Sequence, residues 1–152
     1  MRAKKSQHLK TGSCGLAVLL MLLGLALEVE AQNQGIQRLA QELTDSPEVA
    51  IRMRAAQGLG RTGTPQAARL LDNARTEEAN RSVRLEIVRA LRTIAFQRNP
   101  GYRNALAAIG RGADDRFEAD EMVRLRATEA LWEAGRKDLL DPVPLLEAQM
   151  DD

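Results

Sequence analysis

The sequence predicts an all-α fold, an α-solenoid of about three and a half helical hairpins. Aromatic residues make up only 3% of the chain, whereas Ala, Leu and Arg are frequent, and this bias favours helix over sheet. A nine-residue pattern occurs three times, as IRMRAAQGL at 51–59, VRLEIVRAL at 83–91 and VRLRATEAL at 123–131. The offsets of 32 and 40 residues between copies are typical of helical repeat arrays.

The first 31 residues have the three parts of a secretory signal peptide, which leaves 32–152 as the repeat domain. Four basic residues precede an uncharged apolar run of 13 residues at 15–27, and Val29 and Ala31 occupy the −3 and −1 positions of a cleavage site. The run is shorter than the roughly 17–25 residues that span a bilayer. We therefore expect a bacterial periplasmic or secreted protein. Retention of the segment as an inner-membrane anchor is the alternative.

Cleavage after Ala31 would limit the chemistry open to the mature chain. The only Cys (Cys14) and the only His (His8) lie in the signal segment, so the mature chain would have no thiol, imidazole or disulfide. Its net charge would be −1, because the segment carries four basic and two acidic residues. We expect no catalytic residues, no cofactor and no metal site, and the balanced charge does not favour nucleic acid as a partner.

Seven helices are predicted from apolar spacing and capping signals. They cover about 34–43, 47–59, 65–75, 79–96, a segment from 100, 118–134 and a segment from 142. Four prolines that each follow a capping residue mark helix starts: Pro47, Pro65, Pro100 and Pro142. Three glycines mark helix ends: Gly60, Gly63 and Gly135. The helix at 79–96 has two apolar stripes, which predicts that it packs on both sides.

In the second helix of each pair, an acid in the preceding turn followed by Val-Arg-x-x-Ala-x-x-Ala-Leu resembles HEAT repeats. The pattern is most similar to the short bacterial type first known from phycobilin lyases, and the resemblance covers about 34–150. It implies a right-handed α-solenoid. Asp45 and Glu78 stand where the family places its turn acid. In the third unit several acids compete for that role: Asp114, Asp115, Asp120 and Glu121.

The repeated arginines Arg52, Arg84 and Arg124 are interpreted as structural. Each would pair with a turn acid or cap carbonyls of the adjacent repeat, because the planar guanidinium can donate several hydrogen bonds at once. A ladder that grips an acidic ligand is the alternative.

The segment 81–103 is the predicted partner surface. It contains six arginines against Glu86 alone, a local balance of +5, and suits either an acidic patch on a protein partner or an anionic polymer. The predicted contact residues are Arg81, Arg89, Arg92, Tyr102 and Arg103. A solvated face with acidic partners on other helices is the alternative. The lack of interleaved stacking aromatics disfavours nucleic acid.

Three further features have competing interpretations. The GxGxxG letters at 58–63 follow a predicted helix, so the glycines are assigned to a turn and not to dinucleotide binding. The acidic loop 114–121 lacks EF-hand spacing, and whether it binds a cation stays open. Tyr102 and Trp132 are either interface anchors or, as their helical positions favour, packing residues between units.

Together these observations predict an exported, non-catalytic scaffold for protein–protein interaction. A chromophore lyase-like HEAT protein is one alternative, and a membrane-tethered regulator is the other if the N-terminal segment is retained.

Overall fold

The computed structural model describes residues 30–97 and 100–136, and this part of the chain consists of six helices without a strand. They are α1 at 30–45, α2 at Val49–Thr62, α3 at Pro65–Glu77, α4 at Arg81–Phe96, α5 at Tyr102–Ala113 and α6 at Glu121–Arg136. The prediction of an all-α solenoid of helical hairpins is confirmed. The seventh helix, predicted from residue 142, lies outside the described residues.

The helices form consecutive hairpins whose second members, α2, α4 and α6, pack against one another in order. Helix α4 contacts α2, α3, α5 and α6, so it is the centre of the array. This array belongs to the compact unit that begins at Ile36, whereas the described residues 30–35 are helical and belong to the preceding unit. Among the described residues no helix combines the length and apolar character that crossing a membrane requires.

The repeated nonamer supplies the buried side of each second helix. Its closing leucines Leu59, Leu91 and Leu131 are at most 1% exposed, and Val83 and Val123 are fully buried. In α4 the burial extends to two sides, as its two apolar stripes predict. The first stripe is fully buried and consists of Val83, Ile87, Leu91, Ile94 and Ala95. In the second stripe Val88 is buried, whereas Leu85 and Phe96 are partly buried against the core. Isolated hairpins could not bury such surfaces, so the stacking of units stabilises the fold.

Only one of the described prolines starts a helix at the predicted position. Pro65 is the first residue of α3, and the Thr64 hydroxyl accepts a hydrogen bond from the Ala67 amide at 3.1 Å. Pro47 and Pro100 instead precede their helices by two residues, because α2 begins after Glu48 and α5 after Gly101. These two prolines therefore lie in the approach to the helix.

The predicted helix end at Gly60 is wrong, since α2 continues to Thr62 and ends at Gly63. Gly63 has φ = 65°, a left-handed conformation that glycine adopts without a steric penalty. Gly60 faces α4, and a Cβ there would lie 3.0 Å from the Cβ of Ala90. The lack of a side chain at Gly60 therefore allows α2 and α4 to pack closely. Gly135 lies inside α6, one residue before the last described helical position.

Candidate functional site

The arginines Arg52, Arg84 and Arg124 occupy equivalent positions and make the same backbone contact. In each case Nη1 donates to the carbonyl oxygen six residues earlier at 2.9 Å. The accepting carbonyls belong to Ser46, Glu78 and Glu118. Each guanidinium is therefore fixed against the turn that precedes its own helix.

The remaining donors of two of these arginines reach the following unit. Arg52 forms a two-point contact with the Glu78 carboxylate, with distances of 2.8 Å and 3.1 Å. Arg84 donates to Asp120 at 3.1 Å and lies 3.6 Å from a Glu118 oxygen. Arg124 has no carboxylate partner within 30–97 and 100–136. A guanidinium that binds its own turn and the next one joins adjacent hairpins.

The turn position that receives this arginine is 46, 78 and 118 in the three units. The side chains of Ser46, Glu78 and Glu118 each accept a hydrogen bond from the amide two residues later, at 3.3, 2.8 and 3.1 Å. In the first unit this position is therefore occupied by Ser46 and not by the predicted turn acid Asp45. The Asp45 carboxylate instead accepts a hydrogen bond from the Thr44 hydroxyl at 2.7 Å.

In the third unit the turn acid is Glu118, which was not among the acids predicted to compete for that role. Asp120 is the residue before α6, and its Oδ1 accepts from the Met122 and Val123 amides at 3.0 Å and 3.4 Å. The sequence did contain a signal for Glu118: it lies six residues before Arg124, as Glu78 lies six residues before Arg84.

A buried ion network connects α3, α4, α5 and the loop before α6, and sequence reasoning missed it. At its centre Arg75, 1% exposed, donates to Glu118 at 2.9 Å and to Asp72 at 3.3 Å. Asp72 also accepts two hydrogen bonds from Arg111, at 2.9 Å and 2.6 Å. No spacing or motif distinguished Arg75 from a surface arginine. Because buried charges must be paired, this network constrains how the second and third units fit together.

Three carboxylates of the acidic loop, those of Asp114, Glu118 and Asp120, are paired with arginines. Asp114 accepts from Arg116, and these hydrogen bonds hold the pKa of Asp114 below its ordinary value. Asp120 accepts from Arg81 at 2.6 Å, which is the main reason that the pKa of Asp120 is also lowered. Among the described residues no group of three or more His, Cys, Asp or Glu side chains could hold a metal ion.

The structure does not bring the five predicted partner residues together. Arg81 lies at the start of α4 and binds the loop acid Asp120. Tyr102 and Arg103 lie at the start of α5, and Arg103 donates to the Tyr102 hydroxyl at 2.9 Å. Since α4 is 16 residues long, the 1.5 Å rise per residue makes it about 24 Å long, which places Arg81 far from the end that leads to Tyr102.

Arg89 and Arg92 of α4 do lie together, and they face a groove between α4 and α6. This open groove has a volume of about 400 Å³. Its lining residues are Leu85, Val88, Arg89, Arg92, Arg126, Glu129, Ala130 and Glu133. Arg92 donates to Glu133 across the groove at 2.9 Å and lies over the Phe96 ring, 5.1 Å from its centroid. The local excess of positive charge is thus reduced by an acid from α6.

A second groove lies between α2 and α4 and has a volume of about 250 Å³. It is lined by Gln57, Arg61, Glu86, Arg89, Ala90 and Thr93. Arg89 belongs to both grooves, and its side chain is 72% exposed although it donates to the buried Glu86 carboxylate at 2.9 Å. The solvent-facing side of α2, α4 and α6, called here the second-helix face, therefore contains two adjoining grooves with arginine between them.

All large hydrophobic side chains that stand out as exposed in the described residues lie at the loop before α6 or on α6 itself. They are Phe117, Met122, Leu125 and Trp132. Trp132 is 57% exposed, so the expectation that it packs between units is wrong for the described structure. Tyr102, in contrast, is half-buried against the core.

Stacked hairpins with equivalent arginines and a grooved second-helix face define a helical-repeat protein. The family model for HEAT repeats matches residues 17–92, half of the chain, and the chain belongs to the HEAT-repeat family. HEAT repeats generally mediate protein–protein interaction. No curated protein and no solved structure matches the chain.

The bounds of the family match differ from the predicted domain in two ways. The match begins at residue 17, inside the apolar run assigned to a signal peptide, and ends at 92, before the third unit. The contacts of Glu118 and Arg124 nevertheless repeat those of Glu78 and Arg84, which extends the repeat pattern to α6. The particular similarity to phycobilin lyases stays a prediction.

Proposed function

We propose that this HEAT-repeat protein is a non-catalytic scaffold that binds an acidic region of a protein partner on its second-helix face. The observation that carries the proposal is the pair of adjoining grooves with exposed arginine between them. The two grooves are lined by four arginines (Arg61, Arg89, Arg92 and Arg126) and three glutamates (Glu86, Glu129 and Glu133), and Glu86 is buried. Such a surface attracts carboxylates and steers an acidic partner toward the grooves.

Arg89 is the residue best placed for this contact. The guanidinium group has five N–H donors, and one hydrogen bond, to Glu86, is formed in the described structure. Because the side chain is largely exposed while Glu86 is 4% exposed, the buried carboxylate anchors the guanidinium and leaves other donors toward solvent. Arg92 is 44% exposed and could exchange its surface pair with Glu133 for a partner carboxylate at small cost.

Arg81 and Arg84 are assigned to a different role in this proposal. Their contacts with Asp120 and Glu118 hold the loop before α6, so the partner surface narrows from the segment 81–103 to Arg89 and Arg92 with their groove neighbours. Arg52 and Arg84 link adjacent units, and Arg124 holds the turn before its own helix, so none of the three is assigned to ligand binding.

A crosslinking pulldown from the native envelope fraction, read by mass spectrometry, tests the proposal. The double substitution Arg89→Glu and Arg92→Glu should abolish capture of the partner while far-UV circular dichroism stays unchanged. The Arg89→Gln and Arg92→Gln double variant is also measured, because it does not place a second carboxylate beside the buried Glu86. Arg38→Glu with Arg69→Glu is the matched control, since both arginines are exposed and lie on first helices. Equal capture by the Arg89/Arg92 variants and the wild type would refute the assignment.

We further propose export, with cleavage after Ala31. The basic N-terminus, the apolar run and the small residues before Gln32 support it. Two observations compete with it: α1 begins at residue 30, before the proposed cleavage site, and the family match includes part of the apolar run. N-terminal sequencing of the envelope-associated protein decides between them. A start at Gln32 supports export and excludes a tether, whereas a retained N-terminus supports the membrane-tethered form.

A further inference from the structure

Helix α6 carries an apolar ridge on the side opposite its buried side. Met122, Leu125 and Trp132 are 42%, 48% and 57% exposed, and their spacing of three and seven residues places them on one side of the helix. The buried side of the same helix is formed by other residues: Val123, Ala127, Ala130, Leu131 and Ala134. The apolar ridge, defined as Met122, Leu125 and Trp132, is therefore not part of the core.

Comparison with the preceding repeat shows that two of the three ridge positions are exposed in this fold. The equivalents of Met122 and Trp132, forty residues earlier, are Ser82 and Arg92, and both are exposed although α4 has a second helix on each side. The equivalent of Leu125 is Leu85, which is partly buried against the core and lines the α4–α6 groove. Stacking of another unit on α6 would by this equivalence cover Leu125 in part and leave Met122 and Trp132 at least partly exposed. Packing within the array thus does not account for Met and Trp at these positions.

The ridge lies on the same helix as one wall of the α4–α6 groove. Arg126 and Glu129 of that wall pair with each other at 2.7 Å, whereas Arg89 and Arg92 project from the opposite wall. Arginine and tryptophan are the side chains that most often supply the binding energy of a protein interface. An apolar ridge beside exposed arginines is complementary to a segment that presents apolar side chains next to carboxylates.

We propose that the apolar ridge and the α4–α6 groove bind a short segment of a partner protein in which aromatic or aliphatic residues alternate with Asp or Glu. This inference rests on the proposed function and specifies the partner's chemistry. Trp132 supplies the apolar contact, and Arg89 with Arg92 supply the charge preference.

The test uses three fluorescein-labelled twelve-residue peptides and the purified full-length chain. The first alternates Leu or Phe with Glu, the second replaces each Glu with Lys, and the third replaces each apolar residue with Ser. Fluorescence anisotropy should give a Kd at least about tenfold lower for the first peptide than for the other two. Trp132→Ser should raise the Kd of the first peptide by about tenfold or more, the range expected for an interface hot spot.

Two further variants separate the contributions. Arg89→Gln with Arg92→Gln should remove the preference for Glu over Lys, whereas Phe117→Ser, which removes an exposed apolar side chain from the loop, should leave the Kd unchanged. Equal binding of all three peptides, or an unchanged Kd in Trp132→Ser, overturns the inference.

The same purified protein is used to test two other possible occupants of the ridge. If ultracentrifugation shows a dimer that Trp132→Ser converts to a monomer, the ridge binds a second copy of the chain. If the wild type fails to bind the first peptide whereas Leu145→Ser with Leu146→Ser binds it, the chain's own C-terminal segment occupies the ridge. Either result overturns the partner assignment. Loss of pulldown capture in Arg89→Gln with Arg92→Gln, but not in Trp132→Ser, would leave the proposed function standing and reject this inference alone.

Discussion

The carboxylate of Glu118 receives a charged hydrogen bond from a neighbouring unit, and neutralising it tests the link between the units. One oxygen accepts from the buried Arg75 at 2.9 Å, and the other lies 3.6 Å from Arg84 and accepts from the Asp120 amide at 3.1 Å. Glu118→Gln keeps the length and shape of the side chain. It removes the negative charge from a site that is 5% exposed.

The expected loss of stability follows from leaving a buried arginine without its main counter-ion. Breaking one partner of a buried ion pair costs about 3–5 kcal/mol. Arg75 keeps its contact with Asp72 at 3.3 Å, so the lower end, about 3 kcal/mol, is expected. For a chain of this size each kcal/mol lowers Tm by roughly 2–4 °C, which gives a decrease of about 6–12 °C.

Thermal and urea unfolding followed by circular dichroism at 222 nm measure this effect. Asp115→Asn is the matched control, because Asp115 lies in the same loop and is exposed. If Glu118→Gln unfolds at the same temperature as Asp115→Asn, the ion network does not stabilise the joint between the second and third units, and the reasoning fails.

Two further predictions concern the turns. Because the Arg81 contact lowers the pKa of Asp120, its contribution to stability is fully present above the ordinary carboxyl pKa of about 3.9 and is lost as pH falls through the lowered folded value. The gap in unfolding free energy between wild type and Asp120→Asn should therefore be constant above about pH 5 and close toward pH 2 in urea titrations; a gap that widens in acid contradicts this. Gly101→Ala should destabilise by about 1–3 kcal/mol, since its Cβ would lie 2.6 Å from the Thr64 carbonyl oxygen. Gly35→Ala, with no atom within 4 Å of the added Cβ, should be neutral or stabilising in the same melts, and equal effects of the two would refute the steric argument.

The helices could be predicted because their signals are local. Apolar spacing located the second helices, and Thr64 with Pro65 marked the start of α3 to the residue. Pro47 and Pro100 misplaced their helix starts by two residues, because a proline also suits the approach to a helix. The predicted end at Gly60 was wrong because a glycine can serve close helix packing as well as a turn.

The candidate site was only partly predictable. The sequence shows where a charged residue lies along the chain but not which residue pairs with it. The segment 81–103 has a local balance of +5, yet Asp120 and Glu133 from the third unit are directed into it. Trp132 follows helical spacing, and that spacing alone cannot distinguish a side that meets the next unit from a side that meets solvent.

The sequence by itself determined the class of this protein. The nonamer specifies a helix that must bury one side against its neighbours, and its threefold repetition requires a stacked array. Only the tertiary structure decided which charged side chains form ion pairs and which face solvent. Arg75, Glu118 and Asp72 come from positions up to 46 residues apart, and they meet because stacking brings α3 against the loop before α6. The same stacking leaves Arg89 in solvent, because a second helix packs through its core side and its flanks and keeps one side open. The apolar ridge is exposed on α6, the last helix that the structure describes.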